Sequence, residues 1–144
     1  MKKEVLINIK GIQKVEDHSE VTEFFTVGNM YRKNEKIYIT YDETEVTGHK
    51  NSTTTLKIDG DKKVTLLRMG TDRSHLVIEK GRRHVGHYST PHGDLLIGAS
   101  AQKITSSLTD EGGALYCNYN LDINSQSLSR NELYVDVDLK SQPE

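Results

Sequence analysis

Apolar and polar side chains alternate with a period of two along most of this chain. From 133 to 139 every odd position is Leu or Val, while every even position is Tyr or Asp. The stretch 113–123 repeats the pattern, with Leu115, Cys117 and Leu121 on one parity. Successive side chains of a strand point to opposite faces, so this pattern predicts half-buried β-strands. We predict strands at 3–12, 20–33, 36–46, 51–59, 63–70, 74–80, 83–90, 94–108, 113–123 and 130–140.

Short turn signals separate these segments, among them Asn34, Asp59-Gly60 and Gly112-Gly113. Strands joined by such turns must pair antiparallel, and a long succession of them tends to curl and close. An open ten-stranded sheet would be unusual, and a sandwich needs longer crossovers than this chain offers. The sequence therefore predicts a single all-β domain over residues 1–144, an antiparallel up-and-down β-barrel of eight to ten strands. Gly28, inside a strong β segment, predicts a bulge or a tight bend at a barrel corner.

The composition supports a barrel whose interior is incompletely filled. The chain has 3 Ala against 10 Val, 10 Ile and 13 Thr, a balance that favours strands over helices. Apolar residues and glycine together number 53 of 144, below the usual ~45–50%. So lean a composition suits a thin core or a barrel that encloses a cavity.

Charge and cysteine content exclude several classes of partner. The formal net charge of -2 gives no overall field that would attract nucleic acid or an anionic membrane. The N-terminal apolar stretch is too short for a signal peptide, and no apolar run approaches the ~18 residues needed to span a bilayer. The single cysteine cannot form an internal disulfide. These features predict a cytoplasmic protein that binds neither nucleic acid nor membrane.

Several segments resemble a known family of bacterial proteins. The matching residues are Gly28, 41–43, 54–58, 64–70 (VTLLRMG), 88–93 (YSTPHG) and 118–121. Over nearly the full chain the sequence is similar to the YwiB-like family, whose members have no established activity. The resemblance implies a calycin-type (lipocalin-like) β-barrel in a bacterial cytosol, and it supplies no catalytic residue. Ile78 and Ser100, where the family usually has an aromatic residue and a Thr, are departures that leave the predicted fold intact.

Arg68 is the residue most strongly indicated for a functional role. It lies in VTLLRMG, where apolar residues occur at both parities, so parity alone does not fix the face it occupies. A buried charge is costly unless it is paired, so an inward Arg68 would need a carboxylate, carbonyl or tyrosine partner. We hypothesise that Arg68 with Tyr41, Tyr88 and Tyr119 binds the anionic head of an amphipathic ligand inside the barrel. The alternative is an outward Arg68, or an internal arginine that serves only the fold.

The segment Thr90-Pro91-His92-Gly93 is the most constrained turn in the sequence. Pro91 fixes its own φ, and Gly93 supplies the positive φ that a tight reversal often needs. We interpret the segment as a rigid hairpin connection at the barrel rim. A functional alternative would direct His92 from this rim loop toward a ligand.

Histidines cluster near this turn, and a zinc site is a hypothesis to weigh. Strand alternation places His84 and His87 on opposite faces. Chelation by this strand alone would need a bulge, and a third ligand would have to come from elsewhere, such as His75 or His49. We therefore predict no metal site and interpret the segment as a partly exposed polar strand.

No other residue in the sequence indicates catalysis. Cys117 lies on the apolar face of its strand, so we predict that it is a core residue. Its sequence neighbours offer neither the base nor the positive surroundings that a nucleophilic thiol needs. Asp42, Glu43 and Glu45 are interpreted as solvated charge at a strand end. No phosphate-loop, dinucleotide-binding, nucleophile-elbow or CxxC motif is present.

We expect a cofactor-free binding module that holds a small apolar or amphipathic ligand, as a monomer or homodimer. One alternative is a packed barrel that works as a structural or interaction module through its outer face. Another is a barrel isomerase or hydrolase. A binding module requires a continuous cavity of at least ~300 Å³, a packed barrel would have that volume filled by side chains, and an enzyme needs two titratable groups within hydrogen-bond reach in the same cavity.

Overall fold

The fold is given by a computed structural model that describes residues 2–44, 50–90 and 93–140. The described residues form ten β-strands and no helix. The strands are β1 (Lys3–Val15), β2 (His18–Lys33), β3 (Lys36–Asp42), β4 (Ser52–Asp59), β5 (Lys63–Gly70), β6 (Ser74–Glu79), β7 (His84–Thr90), β8 (Gly93–Ser106), β9 (Gly112–Ile123) and β10 (Gln126–Leu139). All ten predicted segments are strands, with ends that differ by a few residues. Within the described ranges, no helix is both long and apolar enough to cross a membrane.

The ten strands form one closed barrel with up-and-down topology. Each strand pairs antiparallel with its neighbours in the chain, and β1 also pairs with β10, with Ile7 opposite Val137. The turns use the residues that tolerate positive φ, such as Asn34 and Asn124 at 53°. The predicted antiparallel barrel is therefore confirmed, at the upper end of the expected strand number.

The core lies in the lumen of the barrel. Alternate side chains point inward as predicted, so that Ile37, Ile39 and Tyr41 are buried in β3 and Val135 and Val137 in β10. Side chains of the opposite parity face outward, and in β2 the exposed fraction differs strongly between adjacent positions. There Phe24 packs against the interior, while Phe25 is 75% exposed on the outer face.

Gly28 lies where β2 begins to pair with β3. A Cβ at this position would lie 2.3 Å from the carbonyl oxygen of Thr40 and 2.8 Å from Cδ1 of Ile7. The residue is glycine because the strands approach each other closely here. The ladders on both sides of it are regular, so the prediction of a bulge is wrong. Register shifts occur instead in β8, between residues 101 and 103, and in β10, between residues 127 and 129.

Candidate functional site in the barrel interior

Five strands bring a line of polar side chains together on the inner wall. Tyr41 is opposite Thr54, Thr54 is opposite Arg68, Arg68 is opposite Ser74, and Ser74 is opposite Tyr88. All five share the inward parity of β3 to β7, and we call this line the polar row. The row contains Tyr41, Arg68 and Tyr88, which the sequence indicated, and Thr54 and Ser74, which sequence reasoning missed. The signal that could have found them is the inward parity of β4 and β6, where hydroxyls interrupt the apolar face, at Ser52 and Thr54 in β4 and at Ser74 in β6.

Arg68 faces inward and is only 6% exposed, which settles the parity that the sequence left open. Its guanidinium donates from Nε and Nη2 to Oε2 of Glu43, at 3.3 and 3.2 Å. Nε also donates to Oγ1 of Thr54 at 3.1 Å, and the Thr54 hydroxyl in turn donates to the same Glu43 oxygen. Glu43 and Thr54 therefore supply the partners that a buried arginine requires.

The interpretation of Glu43 as solvated charge is wrong. Its carboxylate turns into the barrel just after β3 ends and is 7% exposed. The neighbouring Asp42 is exposed, as expected, while Glu45 lies outside the described residues. Within the predicted strand 36–46 Glu43 has the inward parity of Ile39 and Tyr41, so alternation could have found it. It was missed because its acidic neighbours led to the interpretation of solvated charge.

Three members of the polar row, Tyr41, Arg68 and Tyr88, line a cavity of about 250 Å³ together with Glu43. Two apolar rows lie beside the polar row, Leu56 to Leu66 to Leu76 and Ile58 to Val64 to Ile78, and all of their residues except Ile58 line the cavity. Further strands complete the lining with apolar residues (Ile9, Phe24, Leu121 and Leu133) and with neutral polar residues (Gln13, Thr22 and Asn131). The cavity is thus mostly apolar with several polar groups, the common composition of a small-molecule site.

The tyrosines named from the sequence all line this cavity, although none of them is the partner of Arg68. Tyr119 belongs to β9 and lies outside the polar row. Burial is the main reason that the pKa values of Tyr41 and Tyr119 are raised. The negative charge of Glu43 raises the pKa of Tyr41 further, and the nearby Tyr88 does the same for Tyr119. These hydroxyls therefore remain protonated at neutral pH and can donate or accept hydrogen bonds.

The Arg68–Glu43 pair leaves two buried atoms without a partner. Among the described residues, neither Nη1 of Arg68 nor Oε1 of Glu43 has a hydrogen bond. Both atoms are shielded from solvent, and an unsatisfied buried polar group costs about 1–3 kcal/mol. The ion pair is therefore incompletely hydrogen-bonded, and its two unsatisfied atoms are buried within the wall.

A second hollow, of about 290 Å³, lies at the end of the barrel where β3 begins. Lys3, Arg32 and Asp110 line it, and Arg32 and Asp110 form a solvent-exposed ion pair at 2.9 Å. Because these charges are paired and hydrated, the hollow has little with which to hold a ligand. The interior cavity is the stronger candidate.

The rim turn is confirmed as the connection of a hairpin. Thr90 is opposite Gly93 in the β7–β8 ladder, and Gly93 has a φ of 112°. Pro91 and His92 lie outside the described residues, so the suggested role of His92 stays a prediction.

The described histidines of this region, His75, His84 and His87, do not converge on a metal site, and His49 and His92 lie outside the described residues. His84 contacts Oε1 of Glu79 through Nε2 at 2.8 Å, while His87 has the opposite parity and lies across from His75. The described residues contain no cluster of three or more metal-ligating side chains. Cys117 is fully buried as predicted, and burial raises the pKa of its thiol to about 12. Such a thiol is unreactive at neutral pH.

Comparison with known proteins places the chain in a family. It is 26% identical to the "Uncharacterized beta-barrel protein YwiB" of Bacillus subtilis (strain 168) over 122 residues, 85% of this chain and 84% of that one. The crystal structure of the ywiB protein from Bacillus subtilis superposes with a TM-score of 0.82 at 20% identity, covering 97% of this chain and 94% of the other. The model of the domain of unknown function DUF1934 matches residues 7–135. The chain therefore belongs to the DUF1934 family of β-barrel domains.

Proposed function

We propose that this protein is a cytoplasmic binding protein that holds a small amphipathic molecule inside its barrel. The observation that carries the proposal is a buried ion pair, Arg68 with Glu43, on the wall of a mostly apolar cavity. Sites for small molecules are typically concave and mostly apolar, with a few polar groups that orient the ligand. Lipocalins, the group suggested by the family resemblance, hold one small ligand in a closed barrel in this way. The single cysteine supports the cytoplasmic location.

The cavity argues against a barrel that is packed solid. Its volume of about 250 Å³ falls short of the ~300 Å³ set for a binding module from the sequence, so we propose only a ligand smaller than those of typical sites. An acid–base enzyme has less support. Arg68 and Glu43 are in contact, but an arginine does not release its proton in the range where enzymes work. Oε2 of Glu43 is already held by Thr54 and by two nitrogens of Arg68.

Native mass spectrometry of the protein purified from its own host tests the proposal. We expect a noncovalent adduct of one small molecule per chain, which extraction with organic solvent releases for identification. A bare protein that also takes up no neutral apolar dye, such as Nile red, would contradict the proposal.

Two adjacent leucines offer a matched pair of variants that locate the bound molecule. Leu66 lines the cavity, while Leu67 is 40% exposed on the outside of the same strand. Leu66→Trp should fill the cavity and abolish the adduct, whereas Leu67→Trp should retain it. Gly11→Leu is a second cavity-filling variant on another strand, because a Cβ at Gly11 would meet no atom within 4 Å. Retention of the adduct in folded Leu66→Trp or Gly11→Leu protein would place the molecule outside the barrel and refute the proposal.

A further inference from the structure

We infer that the polar end of the ligand is a neutral group with both a hydrogen-bond acceptor and a donor, such as a primary amide. This inference rests on the proposed function and specifies the chemical class that the interior site takes. It departs from the anionic head suggested by the sequence, because the structure assigns Arg68 a partner inside the barrel.

The first argument is the charge of the cavity wall. Arg68 is neutralised by Glu43 at 3.2 Å, and among the described lining residues there is no other Lys, Arg, Asp or Glu. A ligand carboxylate that entered the cavity would find no unpaired positive charge to neutralise it. Such a charge is strongly disfavoured where water is excluded. A neutral head avoids this cost.

The second argument is the neutral polar lining. Gln13 and Asn131 line the same cavity, and a carboxamide side chain both donates and accepts hydrogen bonds. A primary amide can pair with such a group in both directions, whereas a carboxylate can only accept.

The tyrosines are compatible with this class but do not select it. Tyr88 and Tyr119 line the same cavity, and their hydroxyls can either donate or accept. Selection against an anionic head therefore comes from the neutralised ion pair, which leaves no counter-charge for it.

A panel of probes with one tail and different heads tests the inference on the unmodified protein. Octanamide carries an acceptor and a donor, methyl octanoate carries acceptors only, and octanoate is an anion at neutral pH. We expect calorimetric titration to show octanamide binding at least about tenfold more tightly than octanoate, with the ester in between. Octanamide binding should be lost in Leu66→Trp and kept in Leu67→Trp.

The outcomes separate the inference from the function on which it rests. Octanoate binding as tightly as octanamide, or more tightly, would overturn the neutral head and leave ligand binding intact. Saturable binding by none of the three probes would count against the proposed function itself. Octanamide binding that Leu66→Trp does not weaken would place the head-group site outside the cavity and overturn the inference.

Discussion

Glu43 comes directly after the last residue of β3, yet its side chain lies inside the barrel and neutralises Arg68. The two charges and the Thr54 hydroxyl form one hydrogen-bonded cluster, withdrawn from solvent. In such a cluster each charge is tolerated because the other is present. The character of the site therefore depends on Glu43 as much as on Arg68.

Removing one member of this pair should destabilise the protein strongly. Glu43→Gln leaves the Arg68 guanidinium buried without a counter-charge, so we expect the free energy of unfolding in urea to fall by about 3 kcal/mol. Asp42→Asn, at the exposed neighbouring position, should change it by less than about 1 kcal/mol. The double variant Glu43→Leu/Arg68→Met should lose less stability than Glu43→Gln, because no unpaired charge remains. Equal losses in Glu43→Gln and Asp42→Asn would show that the pair is not buried in solution.

At the scale of elements, strand parity and the approach of neighbouring strands decide which positions tolerate change. Gly28 and Gly11 both lie on the inner side of the β1–β2 hairpin, but their surroundings differ. At Gly28 the backbone of β3 is so close that no Cβ fits, whereas at Gly11 there is open space.

Replacement by Ala should therefore destabilise the protein at Gly28 and leave its stability almost unchanged at Gly11. We expect Gly28→Ala to lower the free energy of unfolding by more than about 2 kcal/mol, because the Thr40 carbonyl and its strand must move. Gly11→Ala should be within about 0.5 kcal/mol of the parent protein. Urea unfolding of both variants measures the difference. Similar values for the two would mean that β2 and β3 are farther apart than described.

At the scale of the whole molecule, closure of the barrel makes the interior a medium from which water is largely excluded. Burial raises the pKa of Cys117 from its ordinary value of 9.0 to about 12, and it also raises the pKa values of Tyr41 and Tyr119. These groups lie on two different strands, so the raised pKa values result from enclosure by the barrel as a whole and not from one strand.

Stability should consequently fall in alkaline solution. The unfolded chain releases the Cys117 proton near pH 9, while the folded barrel retains it up to about pH 12. The stability that the folded state gains from keeping this thiol protonated is therefore complete below pH 9. It decreases as the pH rises above 9, approaching a loss of about 1.4 kcal/mol per pH unit for one proton. Urea unfolding from about pH 8 to 10, where the unfolded thiol is only partly ionised, should show a total loss of about 1.4 kcal/mol from this group in a single transition, and Cys117→Ala should make the slope shallower. An identical slope in Cys117→Ala would indicate that water reaches the thiol in the folded state.

The sequence by itself determined the strands, their antiparallel order and the inward parity of most side chains. It could do so because alternation and turn chemistry are local properties, written in residues such as Ile37, Ile39 and Asn34. It also indicated Arg68 and three tyrosines, and it required a partner for an inward Arg68 without identifying Glu43 as that partner. Only the tertiary structure decided that Thr54, Arg68 and Ser74 stand in one row and that Glu43 meets Arg68 inside the barrel. Those contacts depend on the register between strands, which the pattern within one strand does not encode.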